Sequence, residues 1–460
     1  MLIYNTLTRK KEELTLIDDT LKIYVCGATV YDLIHIGNAR TACVFDTLRR
    51  YLIWRNYPVK YVTNFTDVDD RIIEGANKKG ISSDEYSKRY IKECLKDYEG
   101  LGILTPDVLP LATESIDVIL SMIGSLVEKG YAYVTDVGDV YFKTTSFNEY
   151  GKLSKQNIQE LKEGVRVDVE ENKNDPLDFA LWKAAKEGEP SWDSDYGKGR
   201  PGWHIECSAM SKSFLGDTID IHGGGLDLVF PHHENEIAQS ECCNDTIFAR
   251  YWMHVAMLNI DNRKMSKSLG NFYTVRELSE RFGYEVLRFL IIGAHYRSQL
   301  NFTFDSIESY ATALTRLKNC KDNLIHRIQN SNGTDDSLLS LVIQRKNEFI
   351  SRMDDDLNTA DAIAVLFALS KDINSAENQK TEVLEEALDL FNQLCSILGI
   401  LQDIKEEDIP QEILDLVEER KQARIDRNFS RADEIRKTID VKGYVLEDTK
   451  DETLVKSKNL

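Results

Sequence analysis

The 460-residue chain is too long for one ordinary hydrophobic core, so about two to four domains are expected. Its 42% hydrophobic and 29% charged residues fit a soluble globular protein, and no apolar run of about eighteen residues exists to span a membrane. A net charge of −20 argues against nucleic acid as a partner unless a local basic face overrides it.

The N-terminus, Met1-Leu2-Ile3-Tyr4-Asn5-Thr6, runs straight into a strand-like segment. It lacks the basic and apolar regions of a signal peptide. The cysteines are scattered at 26, 43, 94, 207, 242, 243, 320 and 395, without a CxxC. That pattern suits a reducing cytoplasm and free thiols or metal ligands.

Residues 21–26 read as a short buried strand, followed by a loop and then His35-Ile36-Gly37-Asn38. A helical pattern over 39–54 and a second strand over 59–65 complete a βαβ unit, so a parallel sheet is expected. Ligands of such sheets sit beyond the carboxyl ends of strands, at helix N-termini that favour anions. His35 and Asn38 lie there as donors, and Gly37 leaves room for a flat ring. His35 as a plain helix cap and Cys26 as a buried apolar residue are the bland alternatives. In Thr66-Asp67-Val68-Asp69-Asp70-Arg71, Thr66 and Asp67 are either N-caps or ligands for a metal, a ribose or an amino group.

From about 116 to 200 the texture changes. Strand-like 132–134 and 140–142 flank a hairpin turn, Asp136-Val137-Gly138-Asp139, and a Lys/Glu-rich stretch follows. This reads as an insertion into the sheet domain. The sheet pattern resumes at Gly202-Trp203-His204-Ile205-Glu206-Cys207, and a strand over 218–222 enters Gly223-Gly224-Gly225. No Gly-Lys-Ser/Thr follows, so this is no Walker loop; the glycines suit close approach of backbone to a nucleotide.

Pro231 opens a predicted helix with His232 and Glu236 at i and i+4 on one face. That spacing fits two zinc ligands or an ordinary surface hydrogen bond. Farther on, Lys264-Met265-Ser266-Lys267-Ser268 makes a cationic loop suited to phosphate, or a solvated basic turn. Residues 310–402 carry helical apolar spacing throughout and read as a bundle. The last fifty read as two helices and a short β pair, with a capping start at Ser430 and Asp433 and a stop at Gly443. Arg420, Arg424 and Arg427 share one face there, either a solvated face or an RNA-contacting patch.

Lys264 to Ser268 is a complete KMSKS motif, and His35-Ile36-Gly37-Asn38 is close to HIGH. Together, in this order on a sheet fold, they resemble the two signatures of the class I aminoacyl-tRNA synthetases. Cys26-Gly27-Ala28-Thr29-Val30-Tyr31-Asp32, Asp175-Pro176-Leu177-Asp178-Phe179, Gly202-Trp203-His204-Ile205-Glu206-Cys207 and Phe230-Pro231-His232-His233-Glu234-Asn235-Glu236 are similar to the cysteine-specific members, and the similarity covers essentially the whole chain.

The resemblance implies an α/β fold. A Rossmann-like parallel-sheet catalytic domain occupies 1–115 and 201–250, with an inserted connective subdomain at 116–200. A stem-contact region at 251–309 carries the KMSKS loop, a helical bundle spans 310–405, and a small mixed α/β anticodon-binding domain spans 406–460. It implies ATP-dependent attachment of L-cysteine to tRNA(Cys) through a cysteinyl-adenylate, by a cytoplasmic monomer.

The resemblance also implies a zinc site from Cys26, Cys207, His232 and Glu236 that holds the substrate thiolate. His35, Gly37, Asn38, Gly224, Lys264 and Lys267 would bind ATP with Mg²⁺. Of these, His35, Asn38, Lys264 and Lys267 would be catalytic, although Asn38 departs from the second His of HIGH. Thr66, Trp203, His204, His222 and Asp227 would line the cysteine and adenylate pocket. Arg420, Arg424, Arg427, Phe429 and Arg431 would meet tRNA. The rivals are a mycothiol ligase, which activates cysteine but lacks the C-terminal domain, and a catalytically silent zinc- and RNA-binding relative.

Overall fold

The computed structural model describes residues 1–156, 173–265, 270–402, 410–426, 428–442, 444–448 and 453–457. The chain begins with an antiparallel hairpin, β1 (Leu2–Asn5) and β2 (Lys10–Glu13). Then β3 (Leu21–Val25), α1 (Ile36–Trp54) and β4 (Val59–Thr63) form the predicted βαβ unit. Both faces of β3 are covered, which is why Leu21-Lys22-Ile23-Tyr24-Val25 reads as a nearly continuous apolar run rather than an alternating one.

Two helices, α2 (Asp70–Lys79) and α3 (Ser83–Gly100), follow β4. The cap of α2 is Asp69, whose side chain accepts from the Arg71 N–H, and neither Thr66 nor Asp67 serves. Asp67 instead accepts from the Thr113 N–H at 3.0 Å. After α4 (Ile116–Glu128), the insertion forms its own antiparallel sheet from β5 (Ala132–Val134), β6 (Val140–Phe142), β7 (Phe179–Ala184) and β8 (Gly199–Pro201).

The chain re-enters the main sheet through the helix Trp203–Leu215 and β9 (Ile219–Gly225), and β10 (Ala249–Val255) follows. The order is β10-β9-β3-β4, all parallel. In register, Tyr24 lies beside His222 and His222 beside Trp252, so the carboxyl ends of β3 and β9 open together. The helix after β9 starts at Glu234, three residues later than the proline signal suggested, because a single wide turn over Val229–His233 precedes it.

Next come β11 (Leu258–Ile260) and β12 (Arg263–Lys264), a hairpin turned at Asp261 and Asn262, both with positive φ. β13 (Leu300–Phe302) pairs in parallel with β11. Four helices then pack as the predicted bundle: Phe304–Asn330, Ser337–Asp354, Thr359–Ser375 and Thr381–Leu398. Leu317, Leu324, Phe349, Leu366, Leu369, Phe391 and Leu394 fill its core.

Residues Met1–Leu401 form one compact unit and Gln402–Leu460 a second. The second holds helices Gln411–Ile425 and Phe429–Val441 and the pair β14 (Tyr444–Asp448) and β15 (Thr453–Ser457), around Ile413, Ile435, Ile439 and Leu446. Asn428, not Ser430, caps the latter helix by accepting from the Arg431 N–H; Gly443 lies outside the described residues. Among the described residues no helix is long and apolar enough to cross a membrane.

Candidate active site

The loop after β3 ends at His35, and His35 caps α1. Its Nδ1 accepts from the N–H groups of Gly37 at 3.1 Å and Asn38 at 3.2 Å. Asn38 completes a capping box by accepting from the His35 N–H through Oδ1 at 3.2 Å. With Nδ1 an acceptor, the ring proton sits on Nε2, and that edge of the imidazole donates. Capping and a donor role therefore coexist. What changes is the anion site: His35 already occupies two N–H groups at the start of α1, so those two donors are taken.

Gly37 is required by this fold-back. A Cβ there would lie 2.9 Å from both Nδ1 and Cε1 of His35. Gly37→Ala is therefore expected to push the ring off its cap. ATP–pyrophosphate exchange should fall by up to about 10²-fold, since a misplacement near 1 Å costs that much. Unchanged exchange in the purified variant would show that the ring position is immaterial.

The stretch that follows the second motif meets the first through backbone. Ile34 O accepts from the Val275 N–H at 2.9 Å, and Tyr273 O from the Ile36 N–H at 3.3 Å. His35 pairs with Thr274 as an isolated bridge, and its ring packs edge-on against Phe272. Lys264 and Met265 join His35, Gly37 and Asn38 around one cavity of about 360 Å³, whose wall also includes Cys26 and Trp203. Lys267 lies outside the described residues.

Cys26 leaves the end of β3, Cys207 sits one turn into the helix Trp203–Leu215, and His232 and Glu236 flank the start of the helix Glu234–Asn244. One ligand atom from each of the four lies within 4.8 Å of the others, and all four residues are buried. Two thiols, an imidazole and a carboxylate at this spacing fit a tetrahedral metal ion. A second combination, Cys26, His222, His233 and Glu236, meets the same distance limit. It is the poorer set for a soft metal ion, because it offers one sulfur where the first offers two.

The charges of the cluster suit a cation. Burial works against charge on Glu236, yet His222 and His232 hold its carboxyl well below the usual range. Burial likewise opposes charge on His232, but Glu236 and Cys207 bring it up to about 10. Cys207 is drawn down to about 6 by the neighbouring Cys26 thiol, and burial keeps Cys26 itself high. A metal replaces the protons of His232 and Cys26. With His232 Nε2 turned to the cluster, 3.1 Å from Glu236 Oε1, its Nδ1 faces His204 Nδ1 at 2.8 Å. A ligating His232 must donate there, which fixes His204 as the acceptor. Burial and His232 keep His204 well below its ordinary value, hence neutral.

The expected pocket residues divide. Trp203 packs tilted against His232 with centroids 4.4 Å apart and lines the cavity, as does Asp227. His222 is fully buried behind Glu236 and stacked on Trp252, so it orients the ligand set. Thr66 is buried and donates to Glu206 Oε2 at 2.8 Å. Of the glycine run, Gly225 lines the cavity, while Gly224 packs against His233. In the second unit Arg420 is buried and Arg431 is paired with Glu419 and Glu434, whereas Phe429 is 63% exposed; Arg427 lies outside the described residues.

Sequence reasoning missed three supports. Glu234, fully buried, accepts from the N–H groups of Gly151, Leu153 and Ser154, which pins the insertion to the metal-site helix. His233 and His254 form a buried chain that ends at the Thr6 hydroxyl on the N-terminal hairpin, 2.8 Å from His254 Nδ1. Glu206 keeps one carboxylate oxygen without a partner, and burial raises its carboxyl well above the usual range.

A family model described as tRNA synthetases class I (C) catalytic domain matches residues 13–312, and one described as DALR domain matches residues 348–402. The fold is shared with the Mycobacterium tuberculosis methionyl-tRNA synthetase in complex with methionyl-adenylate, at a TM-score of 0.62 and 12% identity, covering 83% of this chain and 90% of that one. The chain belongs to the class I tRNA synthetases. Its relatives narrow the assignment. A cysteine--tRNA ligase of Caldicellulosiruptor saccharolyticus is 54% identical over 462 residues, 99% of each chain. That of Lachnospira eligens is 52% identical over 466 residues, 98% of each. Within its class the chain is a member of the cysteine--tRNA ligase family.

Proposed function

We propose that this chain joins L-cysteine to tRNA(Cys) in two ATP-driven steps, with zinc held by Cys26, Cys207, His232 and Glu236. The observation that carries the reading is one cavity whose wall holds Cys26 of the soft-metal ligand set together with His35, Gly37 and Asn38 of one motif and Lys264 and Met265 of the other. In the first step a cysteine carboxylate oxygen attacks the α-phosphorus of ATP and pyrophosphate leaves. In the second, the terminal ribose 2′-hydroxyl of tRNA attacks the carbonyl carbon and AMP leaves.

Zinc bound there would supply a soft Lewis acid for the substrate thiolate, which a serine hydroxyl matches poorly near neutral pH. Trp203, packed against His232, closes the cavity beside it. His35 Nε2–H donates to the phosphates, and Lys264, with Lys267 and the Mg²⁺ that accompanies ATP, offsets charge growing on pyrophosphate. Asn38 acts through His35, by fixing its cap. The second unit, with Arg424 and the exposed Phe429, reads the anticodon end of the RNA. The protein works as a cytoplasmic monomer.

One assay tests this. Pyrophosphate exchange should depend on cysteine, discriminate against serine by roughly 10⁴–10⁵-fold, and disappear with a zinc chelator and return with zinc. Equal exchange with serine would sink the thiolate reading. Exchange that survives full metal removal would sink the role of zinc.

A further inference from the structure

The third reactant, an RNA 3′ end, has no assigned contact in the cavity. Among the described residues the Lys and Arg side chains on the cavity wall are Lys264 and Arg71. Lys264 belongs to the nucleotide motifs. Arg71 stands elsewhere, in the first turn of α2, beyond the carboxyl end of β4, the edge strand of the sheet. Its side chain is 48% exposed, so it faces both the cavity and solvent.

Arg71 is held in one pose. Its guanidinium lies 4.6 Å from the Tyr31 ring centroid. Nε donates to Asp69 Oδ1 at 2.8 Å and one terminal nitrogen to Thr29 Oγ1 at 3.3 Å. Tyr31 is anchored in turn, since the Tyr86 hydroxyl donates to its carbonyl at 2.9 Å. Asp70, next in sequence, is turned to Lys183 and Arg200 on the inserted sheet. Asp32 on the same wall accepts from the Leu33 N–H. A guanidinium has more N–H donors than Asp69, Thr29 and the Tyr31 hydroxyl take up.

We propose that Arg71, stacked on Tyr31, binds the last phosphodiester of the single-stranded RNA 3′ end and so places the terminal 2′-hydroxyl over the adenylate. A rigid Arg–aromatic platform is the chemistry that single-stranded RNA uses, with the plane for a base and the fork for a phosphate. The last phosphodiester is one nucleotide from the reacting hydroxyl. A cation on the cavity wall but outside the two ATP motifs is therefore in the required place.

This rests on the ligase reading, and the experiment separates the two. Transfer from preformed cysteinyl-adenylate to tRNA is followed in single turnovers alongside cysteine-dependent exchange, in the zinc-replete full chain. R71Q should slow transfer at subsaturating tRNA by about ten- to a hundredfold. The slope of log apparent affinity against log salt should fall by about 0.7, the signature of one lost single-strand phosphate contact. R71K, which keeps the charge and loses the fork, should keep the salt slope and recover part of the rate. Exchange by R71Q should stay within about twofold of wild type, which also shows that the variant folds. Unchanged transfer and salt slope would overturn the assignment, and so would exchange falling in step with transfer, which moves Arg71 to ATP. If wild type charges no tRNA at all, the ligase reading fails and takes Arg71 with it.

Discussion

Cys207→Ala should lose tightly bound metal and drop cysteine-dependent pyrophosphate exchange on the order of 10³-fold, from several kcal/mol of lost Lewis-acid stabilisation. Cys207 has the low pKa of the two thiols, about 6, because the Cys26 thiol hydrogen-bonds to it. Of the two sulfurs it is the one that gives up its proton more readily. Metal binding must still remove protons from Cys26 and from His232, which Glu236 holds up to about 10 against the effect of burial. Affinity is therefore expected to rise with pH between about 6 and 8, with protons released on binding. Metal analysis after dialysis and isothermal titration in buffers of different ionisation heat measure both. A variant that keeps stoichiometric metal, or wild-type binding without proton release, would mean that the ligand set is drawn wrongly. His204 offers a milder companion, because its ring orients His232 without joining the cluster. His204→Asn should cost about 10–100-fold in metal affinity.

The two synthetase signature motifs were legible because each is contiguous. His35 to Asn38 and Lys264 to Ser268 carry their chemistry in four or five adjacent residues, and their meeting followed from the resemblance. The metal site was not legible from spacing. Cys26 and Cys207 are single cysteines on separate elements, and parallel sheet pairing of β3 with β9 is what brings Cys26 beside the helix Glu234–Asn244. The i,i+4 spacing of His232 and Glu236 was a real signal, but a surface pair has the same spacing. Asn38 shows the opposite limit. Its departure from HIGH gave no sign that its Oδ1 would complete the cap of α1. Gly223 to Gly225 suggested nucleotide contact by a whole run. Gly223 and Gly224 turn out to admit Phe45 and His233, and Gly225 alone reaches the cavity wall. Small residues report close approach, and sequence does not say of what.

Arg288→Met should destabilise Met1–Leu401 by about 3–5 kcal/mol, the usual consequence of stripping one partner from a buried ion pair. Arg288 is fully buried in the helix Tyr284–Ile292, and its Nη2 donates to Asp46 on α1. Its Nε donates to Leu398 O at 2.8 Å and Nη1 to Leu101 O at 3.0 Å. One guanidinium thus joins the helix that carries the HIGN motif to the last helix of the bundle and to the end of α3. Without it, Asp46 keeps Arg50 but remains 3% exposed with half its charge partners gone. Burial pushes the Asp46 carboxyl up, and Arg288 and Arg50 outweigh it, so the native value lies below the ordinary one. A depressed native value means stability that is complete above the unfolded value, about 4, and lost as pH falls through the native one. The deficit of the variant should accordingly stay full from neutral pH down to about 4 and shrink only below it. Denaturant midpoints of wild type and variant at pH 7 and about pH 3, read by near-ultraviolet circular dichroism, test it. A deficit under about 1 kcal/mol, or one that is flat with pH, would show that the carbonyl contacts and not the Asp46 pair hold this junction. Arg288→Lys, which keeps the charge and cannot reach all three elements at once, should fall between the two.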